Sequence, residues 1–140
     1  MSKNADKSYR VLLAEDHKVN QMLATTMLEN LGHAVQVAVN GAEALAAVKV
    51  DSFDLVLMDI QMPVMNGVEA AVAIRKLGDG HGRVPIIAMT ANAMHGDREQ
   101  YLAAGMDDYL AKPIILTDLA TKVQEWGGRQ SATREVSVEG

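Results

Sequence analysis

Short apolar runs alternate five times with longer amphipathic stretches along the chain, the pattern of a parallel sheet covered by helices. The spacing predicts strands at 9–14, 34–39, 54–59, 84–89 and 107–111, and helices at 18–31, 41–50, 66–77, 93–104 and 115–126. The last helix has the clearest stripe: Leu116, Leu119, Ala120, Val123 and Trp126 recur at helical spacing. Gly32 and Gly105 fall where helix ends favour a left-handed residue. The first, third and fourth strands are apolar throughout and belong in the middle of the sheet. The second alternates through Val35, Gln36 and Val37, and the fifth is short and opens on Asp107-Asp108, so both suit edges. Right-handed crossovers then give an α/β, doubly wound five-stranded parallel sheet in the order 2-1-3-4-5, with helices on both faces. One domain over residues 9–126 accounts for the pattern, with 1–8 and the polar, Gly-rich 127–140 as flexible tails and 78–83 as a flexible surface loop.

Composition narrows the chemistry. With 140 residues, 49% of them apolar, the chain is long enough to bury a core rather than remain disordered. A net charge of −5 with no basic run argues against nucleic acid as a partner. The absence of cysteine excludes disulfides, thiol catalysis and Cys-ligated zinc. No apolar stretch approaches the roughly 18 residues of a membrane span, and the amino terminus does not read as a signal peptide. The expectation is a cytoplasmic monomer that makes no membrane contact of its own.

The candidate chemistry sits at the strand ends. Phe53-Asp54-Leu55-Val56-Leu57-Met58 closes on Asp59 and opens into a loop with Pro63 and Gly67. Three other apolar runs end on Glu15-Asp16, on Thr90 and on Lys112-Pro113. Any one of these residues alone reads as a turn residue, a helix cap or a solvated edge. In a parallel sheet of this order, however, all four ends converge on the crevice where the strand order reverses. Two carboxylates about 4 Å apart repel by roughly 4 kcal/mol at an effective dielectric near 20. The group therefore needs a hard divalent cation, the Lys112 ammonium, or a raised carboxyl pKa. Oxygen ligands without His or Cys favour Mg²⁺, with Mn²⁺ able to substitute, and the Gln61 carbonyl is placed to add a third protein ligand. A carboxylate so held can attack phosphorus to form an acyl phosphate, with Lys112 and Thr90 covering the developing charge. A cis bond before Pro113 would aim the ammonium inward.

Glu15-Asp16, Leu57-Met58-Asp59-Ile60-Gln61-Met62-Pro63, Met65-Asn66-Gly67, Met89-Thr90-Ala91 and Asp108-Tyr109-Leu110-Ala111-Lys112-Pro113 together resemble the receiver domain of two-component signalling, a flavodoxin-like fold. The resemblance implies that Asp59 accepts a phosphoryl group from a phosphohistidine, and that Asp16, Asp59 and the Gln61 carbonyl bind Mg²⁺. Glu15 would act on the ion directly or through water. It further implies that Thr90 and Lys112 contact the phosphoryl group, and that Tyr109 turns inward as Thr90 moves. The stretches 15–21 and 90–94 look most like receivers of hybrid sensor histidine kinases, whose partners are a histidine kinase or a histidine phosphotransfer domain. Docking is then expected on His17, Asn20, Leu23, Ala24 and Ile114. Gln61 and Asn92 should border the path of attacking water and set phosphate lifetime. A stand-alone regulator is the main alternative. A Mg²⁺-dependent phosphohydrolase is a weaker one, since Gln61 stands where such an enzyme needs an acid and no insertion could form a substrate cap.

Overall fold

The computed structural model describes residues 8–77, 80–91 and 97–139, with the backbone alone at 97–98 and 128–139. Five strands and five helices alternate strictly: β1 (Arg10–Ala14), α1 (Lys18–Asn30), β2 (Ala34–Ala38), α2 (Gly41–Val50), β3 (Leu55–Asp59), α3 (Gly67–Arg75), β4 (Ile86–Thr90), α4 (Asp97–Ala103), β5 (Asp108–Ala111) and α5 (Leu116–Glu139). All pairings are parallel and the order is β2-β1-β3-β4-β5, as the apolar pattern predicts. Every residue of β3 and β4 is buried, whereas β2 and β5 are partly open to solvent.

Alternation along the strands splits the core in two. Leu12, Val56, Met58, Ile86 and Ala88 face α2, α3 and α4, meeting Val48, Ile74 and Tyr101. Val11, Leu13, Leu55, Leu57 and Ile87 face α1 and α5, meeting Leu28, Leu119 and Val123. Because successive side chains point to opposite faces, β3 and β4 are apolar at every position before their last residues, Asp59 and Thr90.

Several boundaries differ from expectation for physical reasons. The fourth strand starts at Ile86 rather than at position 84, because Pro85 has no N–H for the ladder; its carbonyl accepts from Val56 N at 2.8 Å instead. Thr90 thereby becomes the last residue of β4. Helix α4 is described from Asp97; the expected start near 93 lies outside the described residues. Part of the expected 78–83 loop is a 3-10 turn, Gly80–Arg83. Helix α5 is described to Glu139, past the expected end at 126. No proline interrupts that segment, and an already nucleated helix propagates through its Ala, Arg, Gln and Glu residues against about 1 kcal/mol for each of Gly127 and Gly128. Gly127 is itself buried; a Cβ there would stand 2.7 Å from the Tyr9 ring.

At the amino ends of the strands Arg75 ties four segments together. Its guanidinium donates to the carbonyls of Gly105, Gly82 and Val84 and to Asp107 Oδ2, at 2.7–2.9 Å. Asp107 Oδ2 also accepts from Ile86 N at 2.9 Å. Burial pushes the Asp107 carboxyl above its ordinary value, against the pull of Ile86 N and Arg75.

On the opposite side of the sheet His33 is buried, stacks on the Tyr9 ring at 5.6 Å, and accepts Tyr9 N at Nδ1, 3.0 Å away. That bond requires an unprotonated Nδ1, and burial lowers the His33 pKa, with Asp54 pulling weakly upward. An imidazole whose folded value is depressed contributes stability that is complete above about pH 6.5 and is lost as pH falls below it, where the unfolded chain takes up the proton first. Urea midpoints measured between pH 7.5 and 5 should therefore decline more steeply for the unaltered protein than for His33→Gln. Equal slopes would rule this out.

Candidate functional site

The carboxyl ends of the central strands open into a cleft of about 680 Å³ whose walls include Asp16, Asp59, Gln61, Thr90, Tyr101 and Lys112. Asp59 is the last residue of β3, held in register beside Met89 of β4. The loop that follows returns tightly: Gly67 N donates to Ile60 O, and a Cβ on Gly67 would lie 2.3 Å from the Asp59 carbonyl. Only glycine lets α3 begin that close to the Asp59 backbone. Asn66 and Glu69 close a reciprocal capping box there, which fixes the start of α3.

Asp59 is 5% exposed, and its Oδ1 lies 3.1 Å from Lys112 Nζ and 3.3 Å from Gln61 N. Lys112 follows the end of β5, its N–H donating to Thr90 O at 2.8 Å, and the Lys112–Pro113 peptide is cis. The ammonium also donates to Glu15 Oε1 at 3.2 Å. Glu15, 1% exposed, uses its second oxygen to accept His17 N at 3.0 Å. Both Glu15 oxygens are thus engaged, and Glu15 is not on the cleft wall. Asp16 is different. Its Oδ1 is buried without a hydrogen-bond partner among the described residues, and its Oδ2 lies 3.8 Å from His17 Nδ1.

Burial first, and then the Glu15 charge, push the Asp59 carboxyl above its ordinary value; Lys112 and Gln61 N offset this in part. Burial alone would lower the Lys112 ammonium, but Asp59 and Glu15 outweigh it and hold it above the usual lysine range. Asp59 and Glu15 therefore share one ammonium, and Asp16 stands on the same cleft wall as Asp59 and Lys112. An unpartnered carboxylate oxygen beside a charge-deficient set of hard oxygen donors is suited to a divalent cation of the magnesium class.

Thr90, also buried, shares a 2.9 Å hydrogen bond with Tyr101 of α4. The sequence reading missed Tyr101, whose pairing with Thr90 depends on how α4 packs and not on any local motif. Tyr109 is half-buried and packs on the same apolar cluster as Tyr101, off the cleft wall. Asn92 lies outside the described residues. Asn20, Leu23, Ala24 and Ile114 line a separate groove of about 340 Å³ beside Lys112, while the His17 side chain is 65% exposed and off that lining. Ala24 is buried, whereas Leu23 is exposed together with Val19 and Met22 on the same helix.

Comparison with known proteins meets this geometry from another side. The family model of the response regulator receiver domain matches residues 11–124. Sensor histidine kinase GacS of Pseudomonas protegens is 43% identical over 126 residues, which is 89% of this chain and 14% of that kinase. The chain thus spans about a seventh of the length of this curated relative. Among solved structures, the receiver domain of sensor histidine kinase PA1611 from Pseudomonas aeruginosa, which has a magnesium ion coordinated in its active-site cleft, superposes with a TM-score of 0.80. It is 43% identical, and the match covers 87% of this chain and 99% of that one. The receiver domain of Ssk1 from Saccharomyces cerevisiae, crystallised with the histidine phosphotransfer protein Ypd1, superposes with a TM-score of 0.82 at 35% identity, covering 88% and 91%.

Proposed function

Because this chain belongs to the response regulator receiver domain family, we propose that Asp59 is its phosphoacceptor in a two-component phosphorelay. A carboxylate oxygen of Asp59 attacks the phosphorus of a phosphohistidine, the P–N bond breaks, and the imidazole nitrogen leaves with its electron pair and takes up a proton. The observation that carries this reading is the meeting of buried Asp59 with Lys112, Thr90 and the unpartnered Asp16 oxygen in one cleft.

A phosphoryl group arriving among carboxylates needs positive charge on its equatorial oxygens. Lys112 supplies one such contact and Thr90 a hydroxyl donor. Asp16, Asp59 and the Gln61 carbonyl would hold Mg²⁺, with Mn²⁺ as a substitute; when bound, the cation neutralises charge on the transferring oxygens. Glu15, already engaged with Lys112 and His17 N, serves first to hold the ammonium and would reach the ion through water. Gln61 and Asn92 set the lifetime of the acyl phosphate by ordering or excluding water. Thr90 and Tyr109 form the switch, biased between two populated states.

The partner is a histidine kinase or a histidine phosphotransfer domain, docking on His17, Asn20, Leu23, Ala24 and Ile114, where Leu23, an exposed apolar residue of α1, lines the separate groove beside Lys112. The domain is read as the monomeric, cytoplasmic receiver of a hybrid sensor histidine kinase, without nucleic-acid contacts. No described helix is long and apolar enough to cross a membrane.

Incubation with a small phosphoryl donor and Mg²⁺ tests the function. The expected result is one phosphoryl group per chain, on Asp59 by peptide mass spectrometry, followed by slow loss. Sustained turnover of phosphomonoesters with no adduct on Asp59 would overturn the reading in favour of a phosphohydrolase.

A further inference from the structure

Tyr101 is 4% exposed, and its hydroxyl shares a 2.9 Å hydrogen bond with the hydroxyl of Thr90. Both residues stand on the wall of the cleft that holds Asp59. A buried phenol needs a partner; leaving one without a hydrogen bond is costly. The Tyr101 ring is not free to adjust by itself. It packs in the core beside Ala104 and Met106, and its backbone carbonyl accepts Ala104 N and Met106 N at 3.1 and 3.0 Å, closing α4 onto the approach to β5. Whatever moves this hydroxyl moves the carboxyl-terminal turn of α4.

We infer that Tyr101 is a positioning residue for Thr90: as acceptor of the threonine proton it holds that hydroxyl toward α4 in the unphosphorylated domain, and a phosphoryl group at Asp59, which needs the same proton, breaks the bond. The inference rests on the phosphoacceptor reading of Asp59. Either hydroxyl could donate in this bond; with Thr90 as donor, its single proton cannot serve Tyr101 and a phosphoryl oxygen at once. Once Thr90 turns to a phosphoryl oxygen, the Tyr101 hydroxyl loses its partner in a buried site, and the ring with its helical turn has to shift to find another. The bond therefore favours the resting state and transmits occupancy of Asp59 to α4.

Beryllium trifluoride with Mg²⁺, an analogue of the acyl phosphate, provides the probe, applied to the full chain. Tyr101→Phe fills the same space without the hydroxyl. It should bind the analogue about five-fold more tightly than the unaltered protein, equivalent to about 1 kcal/mol at 1.4 kcal/mol per tenfold. In a Thr90→Ala background the same substitution should change nothing, because the bond it removes is already gone; a merely structural role for Tyr101 would persist there. In fluorotyrosine-labelled protein without either substitution, the Tyr101 fluorine resonance, identified by difference from Tyr9→Phe and Tyr109→Phe, should shift on binding. Unchanged or weaker binding by Tyr101→Phe, or an unmoved resonance, overturns the inference while leaving Asp59 as acceptor. If the unaltered protein binds the analogue no better than Asp59→Asn, the inference and the phosphoacceptor reading fall together.

Discussion

Asp59→Asn is expected to abolish phosphoryl uptake and, in the same molecule, to raise the melting temperature measured without Mg²⁺. The first effect follows from chemistry, since an amide offers no carboxylate oxygen to attack phosphorus. A loss of at least roughly 10³-fold is the scale for removing a nucleophile. The second effect follows from electrostatics. The Asp59 carboxyl is pushed above its ordinary value, chiefly by burial and then by Glu15. Stability linked to a raised carboxyl is complete below the ordinary carboxylate range and is lost as pH rises through the raised value. At neutral pH the ionised Asp59 is thus a burden on the fold, and a neutral amide removes it. Lys112 keeps Glu15 as its partner at 3.2 Å, so the ammonium is not stranded. A rise of about 2–5 °C is the expected scale, with a smaller further gain on adding Mg²⁺ than the unaltered protein shows. Unimpaired uptake would remove Asp59 from its role. A lowered melting temperature would mean that the Lys112–Asp59 pair outweighs burial.

The largest effect on stability is expected at the other end of the strands. Arg75→Met removes the donor shared by three backbone carbonyls and Asp107, leaving Asp107 with Ile86 N as its remaining contact within this network. The pair is only partly buried, and losing hydrogen bonds to a charged group costs about 1.5–3 kcal/mol. For a domain of this size that corresponds to a melting temperature lower by about 5–12 °C. Arg75→Lys should recover only part, because a point charge cannot reproduce the planar fork that reaches four acceptors. The network sits at the amino ends of β4 and β5, a strand length of roughly 17 Å from the cleft. Phosphoryl uptake per folded molecule should therefore be unchanged. A shift below about 3 °C in thermal melts would show that the carbonyls find other donors.

These two residues also mark where the sequence was readable and where it was not. Asp59, Thr90 and Lys112 could be placed because each ends a short apolar run, and a parallel sheet brings such ends to one rim. The order of the strands followed from the same runs, since only strands buried on both faces are apolar at every position. Arg75 carried no signal: three of its four acceptors are backbone carbonyls, which any sequence possesses. Tyr101 meets Thr90 across 11 residues of chain, through the packing of a helix and no fixed local spacing. Glu15 was legible as an acid at the rim. Its capture by Lys112 and the N–H of His17 was not, because one partner lies 97 residues away along the chain and the other is a backbone group. The Gly-rich stretch after Trp126 read as a tail because two adjacent glycines lower helix propensity, yet the preceding turns of α5 carry the helix through.

The single tryptophan of the chain ends this packing in a useful place. Trp126 Nε1 and Lys122 Nζ both donate to Asp108 Oδ2, at 2.8 and 2.7 Å, while Asp108 Oδ1 accepts Tyr109 N at 2.8 Å. Burial pushes the Asp108 carboxyl upward, but those donors prevail and hold it below the ordinary range, so near neutral pH it is a fixed negative charge against the indole. Emission from the lone indole should accordingly report on the strand that carries Tyr109, giving the domain an intrinsic optical gauge of its own rearrangement with no dye attached.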